Sequence, residues 1–214
     1  MPAPTIAELI IGDDPAAWER LGFAVDGDRT TVGATTIVLD GAGGGLRSWT
    51  LRDVPSIELD GLDTATSDAA PPAPREHPNG AVRIDHVVVN TPDLARTFGA
   101  LAEAELDLRR VREHSDTVHQ GFFRMGEVIL EVVAPVIDGP AAPDAPGPSQ
   151  SDPARFWGMV FVVEDLDRCA ALLGDHLGAP RDAVQPGRRI ATLRRSAGLS
   201  VPVAFITPAP ARVS

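Results

Sequence analysis

One pattern of residues recurs along this chain, and it limits the fold more than any other feature. Val82–Val89 (VRIDHVVV) is a short run rich in β-branched residues and reads as a strand. Thr91-Pro92-Asp93 follows with a capping residue, a proline suited to a first helical turn and an acidic group beside it. Leu94, Phe98, Leu101 and Ala102 then fall at helical spacing. Three strand-like runs, Leu106–Glu113, Thr117–Met125 and Glu127–Ala134, complete the unit, separated by turn residues such as Ser115-Asp116 and Gly126. The order is βαβββ. A second copy begins at Phe156–Val163, with Glu164-Asp165 as cap, Leu166, Ala170 and Leu173 on one helix face, and Gly178 and Pro180 as stop signals. Arg188–Arg194 and Leu199–Thr207 read as its later strands, and Pro135 and Pro208 close the two copies at matching places.

Two stretches without hydrophobic periodicity, rich in Ala, Pro, Ser and Asp, divide the chain. They predict a divergent N-terminal βαβββ-like module over 1–62, a linker over 63–81, and a domain over 82–208. That domain holds two modules, 82–136 and 155–208, joined by a loop over 137–154. The N-terminal copy is weaker: Thr5–Ile11 is a strand, Asp13-Asp14-Pro15 opens a helix with Trp18 and Leu21, and Thr30–Leu39 and Leu46–Arg52 are strands. A single βαβββ sheet leaves one face uncovered. The fold class expected is therefore α+β, with two modules forming an open barrel-like sheet around a shared cleft. The spare copy would pack against that barrel or pair with its counterpart in a homodimer.

Charge narrows the partners. The chain of 214 residues has a formal net charge of -11, and every basic residue is Arg. Such a surface repels a phosphate backbone and an anionic membrane, so nucleic acid and membrane are poor partners and a small-molecule ligand is the expectation. Cys169 is the only cysteine and can form no internal disulfide, the N-terminus lacks a basic stretch followed by a long apolar run, and no apolar run approaches a membrane span. A cytoplasmic location is expected.

The segments IDHVVVNTPDLARTFGAL (84–101), FFRMGEVILEVVAP (122–135) and GMVFVVEDLDRCAALL (158–173) resemble the vicinal oxygen chelate superfamily, which includes glyoxalase I, methylmalonyl-CoA epimerase, extradiol dioxygenases and bleomycin-resistance proteins. The resemblance implies paired βαβββ modules and a small oxygen-bearing organic ligand, with isomerase, lyase or dioxygenase chemistry. The alternative it implies is a metal-free binding or sequestering protein of the bleomycin-resistance type. In metal-using members the first strand of a module supplies a His and the last strand a Glu or Gln. Here His86 and Glu131 match those positions, which would hold a divalent metal such as Zn, Fe, Mn or Ni. The matching positions of the last module are Gly158 and Ala204, and those of the first are Glu8 and about Leu51.

Strand alternation gives an independent reading of the same residues. It places Ile84, His86 and Val88 on one face, and Ile129, Glu131 and Val133 on one face of the closing strand. If both look into the cleft, His86 and Glu131 converge there as metal ligands or as a metal-free acid–base pair. Gln120, Phe122 and Arg124 share a face of the preceding strand and are candidate substrate contacts. His114 and His119 flank a hairpin, and either could reach in as a third ligand or simply be solvated. Arg188–Arg195 is the one Arg-rich stretch: Arg194 is a candidate clamp for an anionic substrate, against the plainer reading of a charged strand edge. Gly41–Gly45 lacks the Lys-Ser/Thr ending of a phosphate loop. Cys169, alone in a helix, reads as a small core residue.

Overall fold

The computed structural model describes residues 2–113, 118–135 and 149–210. The N-terminal region forms a five-stranded sheet. It contains β1 (Thr5–Ile11), α1 (Pro15–Arg20), β2 (Arg29–Val32), β3 (Thr35–Leu39), β4 (Leu46–Arg52) and β5 (Asp63–Thr66), in the order β2-β3-β1-β4-β5. The rest forms an eight-stranded sheet from β6 (Ala81–Asn90), β7 (Asp107–Glu113), β8 (Val118–Met125), β9 (Val128–Pro135), β10 (Arg155–Val163), β11 (Arg181–Asp182), β12 (Arg189–Thr192) and β13 (Val203–Ile206). Helix α2 (Leu94–Glu103) follows β6 and α3 (Leu166–Leu173) follows β10. The large sheet runs β11-β12-β13-β10-β6-β9-β8-β7, with the first strands of the two modules, β6 and β10, antiparallel at its centre. Each is parallel to the last strand of its own module, β6 to β9 and β10 to β13. The two expected βαβββ modules are thus joined edge to edge into one open sheet.

The N-terminal region differs from the single module expected. β1 is parallel to β3, antiparallel to β4, and β4 is parallel to β5. This repeats the centre of the large sheet, where β9 and β6 face β10 and β13. The region is therefore a shortened pair: a βαββ unit (β1 to β3) joined to a two-strand remnant (β4 and β5). The stretch expected to be linker from residue 63 opens with β5, whose pairing with β4 supplies backbone hydrogen bonds that a solvated linker would take from water.

Local chemistry explains the helix ends. Asp93 caps α2, its carboxylate accepting from the Arg96 N–H, while the Thr91 hydroxyl accepts from the Asp93 N–H in the turn before it. Asp165 caps α3 by accepting from the Asp167 and Arg168 N–H groups. That helix stops at Gly174, whose φ of 51° suits a residue without a side chain, four residues before the Gly178 expected from sequence.

One face of the large sheet carries the continuous core, covered by α2, α3 and the N-terminal region. Trp18 and Phe23 from the N-terminal region pack on Phe161 and Phe205 of the sheet, with ring centroids 4.7 Å apart for Trp18–Phe23 and 5.1 Å for Phe23–Phe161. Burying an aromatic of this size contributes about 2–3 kcal/mol. Two buried carboxylates fasten the junction. Asp13 accepts from Trp18 Nε1 and from the Ser200 N–H and hydroxyl, and Asp60 accepts from Thr97 and Arg96. The apolar face of the N-terminal copy is covered within its own chain, so it supplies no argument for a dimer. Cys169 is 1% exposed in this core, and burial, with Asp165 nearby, pushes its thiol up to about 12. No helix among the described residues is long and apolar enough to cross a membrane.

Candidate functional site

The opposite face of the large sheet is concave, and its floor is set by a β-bulge. In the β6–β10 register His86 faces Val160 while Ile84 faces Phe161, which leaves Asp85 without an opposing residue. A bulge of this kind turns two consecutive side chains to one side. Asp85 and His86 both look into the cleft, and Ile84, expected beside His86, turns instead into the core at 1% exposure. After the bulge alternation resumes: Val88 faces the cleft and Val87 and Val89 the core. On β9 the expected set holds, with Ile129, Glu131 and Val133 facing the cleft.

These placements build a hydrogen-bonded chain across both modules. Arg188, which directly precedes β12, reaches 103 residues back in sequence and grips Asp85 with its two terminal guanidinium nitrogens, Nη2 at 2.7 Å and Nη1 at 3.2 Å; its Nε donates to the Thr207 carbonyl at 2.8 Å. His86 Nδ1 lies 3.0 Å from the Asp85 carboxylate, and His86 Nε2 lies 3.4 Å from Glu131 Oε2. Gln120 donates to Glu131 Oε1 at 2.8 Å. Burial alone would raise the Asp85 carboxyl, but hydrogen bonds from His86 and Arg188 and the Arg188 charge outweigh it and hold the group at about 2. An ionised Asp85 can only accept, so His86 Nδ1 carries a proton. Glu131 is shifted the other way: burial raises it, and the charges of His86 and Arg112 offset that only partly. One carboxylate is thus locked as an anion and the other is poised to take a proton, the arrangement that separates an orienting group from a base.

His86 and Glu131 stand where two chambers of the cleft meet. One, of about 450 Å³, is lined by Arg83, Asp85, Phe122, Arg124 and Arg188. The other, of about 360 Å³, is mainly apolar and is lined by Val133, Trp157, Val160, Ile190 and Ala204. Of the residues singled out from sequence, His86, Glu131, Gln120, Phe122 and Arg124 come together here. Arg194 does not line either chamber: β12 ends at Thr192, and Arg194 lies exposed at the entrance to a short 3-10 turn, its N–H bonded to the His176 carbonyl. His119 sits on the face of β8 opposite Gln120, with Phe123 and Met125, and His114 lies outside the described residues. Sequence reasoning missed Asp85, Arg83 and Trp157 as cleft residues and placed Arg188 only within the Arg-rich stretch. The one available signal was the Asp85-His86 pair itself, two polar neighbours where alternation allows only one to face the cleft.

Among the described residues the donor set does not fit a resident divalent ion. The β6–β10 register pairs Val160 with His86 and Gly158 with Val88, so the local two-fold that exchanges the modules maps His86 onto Gly158. It maps Glu131, opposite Val88, onto Ala204, opposite Val160. At these two positions the last module thus contributes no ligand atom, and among the described residues the two side-chain donors His86 and Glu131 fall short of the three or four that such ions take from a protein. No group of three or more His, Cys, Asp or Glu side chains suited to a metal ion is found among the described residues.

No protein-family profile matches the chain. No curated protein matches it in sequence. Among solved structures, a triple mutant of 4-hydroxymandelate synthase from Streptomyces coelicolor superposes with a TM-score of 0.64 at 14% identity, covering 100% of this chain and 95% of that one. Methylmalonyl-CoA epimerase from Mycobacterium tuberculosis matches with a TM-score of 0.46 at 16% identity, covering 61% of this chain and 91% of that one. The whole-chain superposition on the synthase, together with the paired modules, shows that the chain has the vicinal oxygen chelate fold.

Proposed function

We propose that this protein, a chain with the vicinal oxygen chelate fold, binds a small oxygen-bearing organic molecule in the cleft between its last two modules and moves a proton on it with Glu131 as general base. The observation that carries this reading is the position of Glu131 and His86 at the junction of the two chambers, where a bound molecule must pass both. Burial raises the Glu131 carboxyl above the ordinary carboxylate range, and Gln120 fixes one of its oxygens. Such a group suits abstraction of a proton from a carbon beside a carbonyl.

The remaining residues follow the logic of an oriented acid–base pair. Asp85, held by Arg188, fixes the His86 ring and stabilises positive charge on it, as a buried carboxylate does for a catalytic imidazole. His86 Nε2 then faces Glu131 and can accept the proton that Glu131 has taken. The 3.4 Å separation is longer than a good hydrogen bond, and catalytic contacts often shorten only when substrate binds. The cytoplasm suits a chain whose single thiol is buried and inert.

The test is proton exchange in deuterated water. A panel of 2-oxo, 3-oxo and 4-oxo carboxylates with phenyl ends is incubated with the protein, and loss of the protons beside the ketone is followed by NMR. Catalysed exchange that Glu131→Gln reduces by about two orders of magnitude or more is expected for a positioned base. Binding without exchange by the wild-type protein would instead make this a sequestering protein, a reading that the apolar second chamber favours.

A further inference from the structure

We propose that the ligand of this cleft is a monoanionic carboxylate with an apolar, ring-bearing tail: its head sits between Arg83 and Arg124, and its tail lies against Trp157. This names the ligand class for the cleft under Proposed function and rests on that placement of the site.

The two chambers differ in kind. In the first, Arg188 is fully committed to Asp85 and the Thr207 carbonyl and is 8% exposed. Arg124 forms no ion pair among the described residues, and Arg83 is held only loosely, 3.6 Å from Asp85. Over the whole lining three guanidiniums, Arg83, Arg124 and Arg188, stand against three carboxylates, Asp85, Glu127 and Glu131, so the chamber carries no net charge when Glu131 is ionised; with Arg188 spent on Asp85, what it offers an anion is the pair Arg83 and Arg124. A monoanion enters such a chamber at less electrostatic cost than a doubly charged phosphate. Guanidinium forks recognise carboxylates by paired hydrogen bonds. On a chain of net charge -11, three guanidiniums gathered in one chamber run against the general field.

The second chamber is walled by hydrocarbon, and Trp157 stands on its lip at 52% exposure. A second irregularity in β10 places it there: Phe156 pairs with Val89 and Gly158 with Val88, so Trp157 is an inserted residue without a partner. An indole held out of the core at the mouth of an apolar cavity offers a large face to a ring at little cost in ordering. A molecule whose two ends occupy the two chambers places its middle at His86 and Glu131.

Trp157 is also the reporter that tests this. The other tryptophans, Trp18 and Trp49, are 0% and 1% exposed, so a ligand in the cleft alters the fluorescence of Trp157 alone. The probes are 4-phenylbutyrate, its uncharged amide and acetate. The inference expects saturable quenching by 4-phenylbutyrate and binding of the amide about tenfold weaker or worse, equivalent to about 1.4 kcal/mol. Acetate should give no quenching, and Arg124→Ala should abolish the preference for acid over amide. Trp157→Phe, followed by calorimetry, should weaken binding of 4-phenylbutyrate while leaving acid favoured over amide. Equal affinity for acid and amide, competition by acetate as strong as by 4-phenylbutyrate, or no quenching by any probe would overturn the inference. Wild-type protein that prefers 4-phenylbutyrate over its amide but catalyses no proton exchange would remove the base and leave the ligand class standing, so the two ideas fail separately.

Discussion

Arg188→Met removes one partner of the ion pair that orients the site. Both members are nearly buried, with side chains 8% exposed for Arg188 and 10% for Asp85. Taking away the guanidinium leaves Asp85 with His86 as its close partner and Arg83 at 3.6 Å. Stranding one charge of a buried pair costs about 3–5 kcal/mol. Arg83 is about one-third exposed and can swing closer, so the lower end, about 3 kcal/mol, is expected. At about 2–4 °C per kcal/mol for a chain of this size, the Tm should fall by about 6–12 °C. The double variant Asp85→Leu/Arg188→Met should recover to within about 1 kcal/mol of wild type, because no unpaired charge remains. The sign with pH is also fixed. Asp85 is held at about 2, below the ordinary carboxylate range, so its stabilisation is complete above that range and is lost as pH falls through about 2. The gap between wild type and Arg188→Met, measured by denaturant melts, should therefore stay level from neutral pH to mildly acid conditions and narrow toward pH 2. A loss under about 1 kcal/mol at neutral pH, or a gap that widens in acid, would refute the reasoning.

Glu131 carries the opposite sign: its folded carboxyl is raised, so the native state pays a penalty that develops as pH rises above the ordinary carboxylate range. Glu131→Gln should consequently raise Tm relative to wild type at pH 7 and make little difference at pH 4 in thermal melts, while proton exchange is lost. Gly121 on β8 faces Phe98 of α2 so closely that a Cβ would lie 2.2 Å from the ring. Gly121→Ala should cost about 1–3 kcal/mol, and Phe98→Leu in the same chain should recover part of it, both read from denaturant melts.

The modules were legible because their central strands pack one face on the core and line a partly apolar cleft with the other, and so read as largely apolar runs, VRIDHVVV and GMVFVV, each followed by an acidic helix cap. Glu131 stood out as the lone ionisable residue of VILEVVA, and His86 because it falls where the resemblance expects a ligand on the first strand. Ile84 was misplaced because alternation holds only until a bulge, and the Asp85 bulge is fixed by the β6–β10 register, which no local pattern reveals. The Arg188–Asp85 grip spans 103 residues and arises only when the two modules join. Trp157 was not singled out for the same reason: its place as an inserted residue in β10, which turns it outward, is fixed by the register. The N-terminal region read as one module because its strands are short, and the placing of β1 between β3 and β4 is decided by packing rather than by propensity.

The measurement that bears most directly on the acid–base account is metal content set beside proton exchange, in protein as purified and after chelation. An oriented His86–Glu131 pair predicts substoichiometric metal in both preparations and an exchange rate that chelation leaves unchanged. Stoichiometric metal lost in His86→Ala, with exchange that stops on chelation and returns on adding Zn, Fe, Mn or Ni, would contradict it.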